Sequence, residues 1–144
     1  MSFPYKRILC AVAFDDNSDA AINEAAALSR ASGGAIVLLH VVWINPLAAD
    51  GYVLADLEKS QIEDARTKLE AAAKRALSGI RYEVEIRIGD PGEEILAAGQ
   101  RFGADLTVMA THGRHGVSRL MLGSVAERVV RSAAIPVLTV RRPT

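Results

Sequence analysis

Ala35-Ile36-Val37-Leu38-Leu39-His40-Val41-Val42-Trp43 runs for nine residues without alternation, and His40 is its one strongly polar side chain. A strand with one wet face alternates apolar and polar residues. A run this continuous is buried on both faces, as in a central strand of a parallel sheet covered by helices. Its flanks agree. Gly33-Gly34 stops an alanine-rich helical run from Asp19 to Arg30, since glycine suits the left-handed turn after a helix. Asp15-Asp16-Asn17-Ser18 offers N-caps for that helix, and Ile8 to Phe14 before it reads as a second short buried strand.

Downstream, a loop from Ile44 to about Val53 leads to Leu54, Leu57, Ala65, Leu69, Ala72 and Ala76 at helical spacing. Charges such as Glu58, Lys59, Glu70 and Lys74 fall between them, and this long amphipathic helix ends near Gly79. Arg81 to Ile88 does alternate: Tyr82, Val84, Ile86 and Ile88 are apolar, while Arg81, Glu83, Glu85 and Arg87 are charged. That pattern belongs to an edge strand. Asp90-Pro91-Gly92-Glu93 opens a third helix with Asp90 as N-cap, proline in the first turn and Glu93 placed for a capping box; Gly103 ends it. Asp105 to Met109 is a fourth strand, a helix runs through Val125 to Arg131, and a last strand covers Val137 to Val140. The order βαβαβαβαβ implies one doubly wound α/β domain over residues 1–144, a parallel sheet with helices on both faces.

Composition narrows the function. Half of the 144 residues are hydrophobic, which excludes disorder as a description of the chain. Seventeen basic residues balance seventeen acidic ones, so no net charge draws the protein to nucleic acid or to anionic lipid. An anion here has to be held by local geometry. The single cysteine, Cys10, sits in an apolar run and reads as a core thiol, compatible with a reducing compartment. Residues 1–7 lack the apolar stretch of a signal peptide, and no run approaches the ~20 residues of a membrane span. The expected location is the cytoplasm, with no membrane partner.

Ligands of open α/β sheets sit beyond the carboxyl ends of the strands, where the strand order reverses. The loops after the first and fourth strands are therefore the places to look. The fourth reads Met109-Ala110-Thr111-His112-Gly113-Arg114-His115-Gly116, and Gly123-Ser124-Val125-Ala126-Glu127 follows at a helix start. Free N–H groups and the macrodipole at such a start favour phosphate, and Ser124 adds a hydroxyl. The same residues also fit a plain capping box on Ser124 and Glu127, with Gly113 and Gly116 shaping a surface turn. His112 and His115 lack a third metal ligand in the sequence. Trp43 and Tyr52 bracket the long loop as a packed lid, while Arg128 and Arg131 fall on the wet face of the last helix.

The sequence resembles the universal stress protein family over nearly its whole length. The matching pieces are Lys6-Arg7-Ile8-Leu9, His40-Val41-Val42, Gly89-Asp90-Pro91, Val108 to Gly116, Gly123 to Arg128 and Ile135 to Val140. The family's ATP-binding members carry glycine, two residues, glycine, nine residues, then glycine and serine or threonine; Gly113, Gly123 and Ser124 match, and Ala110 stands at the first glycine. The resemblance implies a five-stranded sheet ordered 3-2-1-4-5 and a bound adenine nucleotide, ATP or AMP, with Mg2+ carried on its phosphates. It implies that the Val41 backbone faces the adenine, that Met109 and Ala110 flank the nucleoside and that Gly113 approaches the phosphates. Gly123, Ser124 and Val125 would hold the phosphates by N–H groups and the Ser124 hydroxyl. Ala13 stands where the family's ATP binders usually carry aspartate. A homodimer through the last strand (Val137, Leu138, Val140) is expected too, since that edge lacks protecting charges. No Walker loop, pyrophosphatase loop or His-x-Gly-His pair is present, so a regulatory nucleotide-binding module is expected rather than an enzyme. The alternatives are a dimeric interaction protein that has lost nucleotide binding, and a slow ATP-hydrolysing or adenylate-transferring enzyme.

Overall fold

The computed structural model describes residues 3–14, 18–44, 47, 50–111 and 122–141. Five strands alternate with four helices: β1 (Arg7–Ala11), α1 (Ser18–Ser32), β2 (Ala35–Val42), α2 (Gly51–Ala76), β3 (Tyr82–Ile88), α3 (Pro91–Arg101), β4 (Leu106–Ala110), α4 (Ser124–Ser132) and β5 (Val137–Val140). The strands are all parallel and lie in the order β3-β2-β1-β4-β5. The reversal of order falls between β1 and β4.

Alternation along the two central strands sorts the core into two layers. Ile8 and Cys10 of the first strand and Val12 just past it, with Ile36 and Leu38 of the second, pack under α1 and α2; Leu9, Val37 and Leu39 point the other way, under α3 and α4. Ile8, Leu9, Cys10, Ile36, Leu38 and Leu39 are all fully buried, which is why the β2 stretch has no alternation. Each such side chain contributes about 1.5–3 kcal/mol through burial. β3 sits at an edge as its charges require: Tyr82, Val84 and Ile86 reach the α2 layer, whereas Ile88 at its end is exposed. Cys10 is a core thiol, its pKa pushed up to about 12 by burial.

Two glycines are demanded by geometry. Gly33 takes φ +76 to end α1, and a Cβ on Gly34 would lie 2.2 Å from the Tyr5 carbonyl oxygen. Asp90 caps α3 by accepting the Glu93 N–H at 3.0 Å. Two element limits depart from the sequence reading. β1 ends at Ala11 rather than Phe14, although the Val12 N–H still donates to the Leu39 carbonyl at 2.8 Å. Phe14 then turns to φ +58, a conformation no strand continues. α2 starts at Gly51, a turn before Leu54, with Asp50 at its N-cap.

Candidate functional site

Where β1, β2 and β4 end, a cleft of about 290 Å³ opens. Its floor is Ala11, Val12 and Ala13 at and just past the end of the first strand, Leu39, His40 and Val41 from the second, and Met109, Ala110 and Thr111 at and just past the end of the fourth; Pro91 and Ile95 of α3 form one wall and Gly123 to Ala126 the other. Size does not distinguish it, because a cleft between α3 and α4 is also about 290 Å³ and one between α1 and α2 about 280 Å³. Position does. This is the cleft at the carboxyl ends of the strands beside the reversal of order.

Three helices begin at it. Ser18, Pro91 and Ser124 are the first residues of α1, α3 and α4, and all three line the cleft. Each helix start carries a partial positive charge, although at α3 Pro91 has no N–H and Asp90 takes the Glu93 N–H. The rest of the lining is largely apolar, so charge enters through backbone ends rather than ionised side chains.

The start of α4 answers the question left open by its sequence. Its N-cap is Gly123, with φ −65 and ψ 162, and no side chain caps it. Ser124 is thus the first helical residue, and the capping-box reading of Ser124 and Glu127 does not hold. The Gly123 N–H is not a free donor either: it donates to the Thr111 carbonyl at 2.7 Å and closes the loop after β4. Ser124, Val125 and Ala126 keep the N–H groups that a helix start leaves without intrahelical acceptors. Of the expected ligand-facing residues, Val41, Met109, Ala110, Gly123, Ser124 and Val125 come together on the cleft. Gly113 lies outside the described residues, as do Asp15, His112, Arg114, His115 and Gly116. Ala13 lines the cleft and is exposed.

Several lining residues were not expected from sequence. His40 is half-buried, and its Nδ1 lies 2.7 Å from the Val12 carbonyl oxygen. A carbonyl only accepts, so Nδ1 carries the hydrogen and, in the neutral ring, Nε2 is the acceptor. Burial pushes its pKa below the ordinary value; the Val12 carbonyl pulls it up, and Lys68 pushes it down. The ring stacks on Phe14 at 4.3 Å, and the Lys68 ammonium stands 5.5 Å from the Phe14 centroid. His40 is hidden in the sequence because it interrupts an apolar run. Pro91 and Ile95 were legible in principle, since the crossover from the β3 edge to β4 must carry its helix past the reversal point.

One further expectation is corrected. Trp43 and Tyr52 do not pack as a lid: they are 63% and 93% exposed, because Trp43 lies just past the end of β2 and Tyr52 on the open first turn of α2. Arg128 is exposed on the wet face, as expected, and is also paired. Its Nη1 donates to Asp90 Oδ2 at 2.9 Å and its Nη2 to Glu93 Oε1 at 3.2 Å, across to α3. Arg131 pairs with Glu127 within its own helix. No described helix is long and apolar enough to cross a membrane.

Comparison with known proteins gives one answer. The model of the universal stress protein family matches residues 4–141. A universal stress protein of Methanocaldococcus jannaschii is 33% identical over 144 residues, spanning 96% of this chain and 84% of that protein. The solved structure of the hypothetical protein MJ0577, from the same organism, superposes with a TM-score of 0.88 at 28% identity, covering 97% of this chain and 98% of that one. Below 25% identity, where only the fold is comparable, stand two liganded structures. One is a universal stress protein in complex with cAMP (TM-score 0.75, 22% identity, 95% of this chain and 97% of that one). The other, from Archaeoglobus fulgidus, is in complex with dAMP (TM-score 0.71, 21% identity, 96% of this chain and 99% of that one).

Proposed function

The chain belongs to the universal stress protein family, and on that premise we propose that it is a regulatory module that binds an adenine nucleotide, ATP or AMP, without turning it over. The observation that carries this reading is the convergence of three helix starts, at Ser18, Pro91 and Ser124, on one largely apolar cleft. An apolar floor suits a base and sugar, and helix starts suit phosphate. In this reading the base lies against Val41 and Met109, the sugar over Ala13 and Ala110, and the phosphates meet Ser124 and Val125. Gly113, which the family resemblance assigns to the phosphates, lies outside the described residues. Family members in complex with cAMP and dAMP support an adenine nucleotide over other anions.

Magnesium would arrive on the phosphates. Occupancy would in turn alter what the protein contacts during stress. The module acts as a homodimer joined through β5.

Alanine at positions 13 and 110 favours a second reading, an interaction protein that has given up its nucleotide. Mass spectrometry of ligand released by denaturing freshly purified protein separates the two. An adenine nucleotide near one per chain supports binding. Ligand-free protein that stays empty when incubated with ATP or AMP supports the second reading. Steady release of ADP or transferred adenylate from added ATP would make it an enzyme instead.

A further inference from the structure

We propose that Arg128 is the positioning residue of the cleft's phosphate end, a forked cation that ties the start of α3 to α4 and neutralises the two carboxylates beside it. The inference rests on the nucleotide-binding reading of the cleft. Asp90 and Glu93 are the N-cap and first-turn residues of α3, where negative charge stabilises the helix but offsets its positive end. They flank Pro91, which lines the cleft, so two uncompensated carboxylates there would repel a phosphate. Arg128 answers both at once, with Nη1 on Asp90 at 2.9 Å and Nη2 on Glu93 at 3.2 Å. Asp90 Oδ2 still accepts the Glu93 N–H, so cap and fork meet on one oxygen.

Gly92 makes the fork possible. A Cβ at that position would stand 2.8 Å from Arg128 Cδ, so a larger residue there would force the arginine stem to shift from its path across the start of α3. Arg128 sits one turn after Ser124, and the walls it joins, Pro91 with Ile95 and Gly123 to Ala126, are the two sides of the cleft. An isolated surface pair would contribute little. Here one guanidinium spans two carboxylates with a geometry lysine cannot copy.

The test compares ATP, AMP and adenosine affinities by calorimetry, together with amide hydrogen exchange over residues 122–129, in the full chain. Arg128→Ala is expected to weaken ATP about tenfold, AMP less and adenosine by under about twofold, because the lost neutralisation scales with ligand charge. Exchange at the start of α4 should rise. Gly92→Ala keeps the charge but displaces the stem, and should raise exchange in the same segment and weaken ATP in the same direction. Arg128→Lys should restore only part of the loss, and Arg131→Ala, whose pair stays within α4, should change neither readout. Equal losses for ATP and adenosine, or exchange unchanged in both Arg128→Ala and Gly92→Ala, would overturn the proposal. If the wild-type protein binds no nucleotide, the binding reading fails by itself, and the exchange result still decides the fork.

Discussion

At the scale of single residues, the start of α4 separates two effects that sequence leaves entangled. Ser124 follows the N-cap instead of being it, so its hydroxyl can be removed without uncapping the helix. Ser124→Ala is expected to weaken ATP by about 1–2 kcal/mol, the worth of one hydrogen bond to a charged group, with the thermal midpoint unchanged. A fall in stability with affinity intact would return Ser124 to a structural role. Gly123 has an ordinary extended φ of −65, so valine there costs nothing in backbone conformation and acts through the space it fills on the cleft wall. Gly123→Val should therefore fold normally and lose at least about tenfold in ATP affinity, more than 1.4 kcal/mol. Ala13 is exposed on the cleft floor, at the position where the family's ATP binders usually carry aspartate. Ala13→Asp is expected to tighten ATP at saturating magnesium, where the ion offsets repulsion between carboxylate and phosphate. Weaker binding under those conditions would mean that the sugar does not lie over Ala13.

At the scale of elements, most of the fold was legible, for reasons that differ from strand to strand. β2 announced itself because burial on both faces leaves no place for alternation, and β3 because one face is wet. The end of β1 was not legible: Val12, Ala13 and Phe14 are as apolar as the strand before them, and what stops it is the left-handed turn at Phe14. That turn is held by a stack whose members lie far apart in the chain, Phe14 on His40 with Lys68 beyond. No local pattern encodes it. The stack makes a pH test possible. Burial lowers the His40 pKa, so the folded state holds the ring proton less tightly than the unfolded chain does. The stability this gives is whole above the unfolded value of 6.5 and is lost as pH falls from there through the lower folded value. His40→Asn keeps a donor for the Val12 carbonyl and removes the titration. The gap between its thermal midpoint and that of the wild type should change between pH 7 and pH 5 in the variant's favour; parallel curves would exclude His40 as the source.

At the scale of the whole molecule, two features stand on one sheet: a cleft at the reversal of strand order and an edge at β5. The Pro136 and Val140 carbonyls accept hydrogen bonds from Thr107 and Thr111, so alternation turns the backbone groups of Val137 and Thr139 outward. Leu138 and Val140 pack on the α1 layer and Val137 on the α3 layer, so changing any of them would disturb the core and the interface together. Thr139→Pro instead removes one outward donor, which an edge strand tolerates. Light scattering at micromolar concentration is expected to find a dimer for the wild type and a monomer for this variant; a monomeric wild type would contradict pairing through β5. Sequence could locate that edge only through the resemblance that supplied the strand order. The cleft was half legible in the same way: the loop after β4 stood out, whereas the convergence of α1 and α3 on it depends on contacts across the sheet. Binding at this cleft is the central claim, and calorimetric titration of the purified protein with ATP and magnesium tests it most directly. The expected result is saturable heat with a dissociation constant of micromolar or weaker, at most about 8 kcal/mol, because helix starts reach the cleft while Ala13 brings no carboxylate to the proposed sugar side. No heat and no shift in thermal midpoint at millimolar ATP would contradict it.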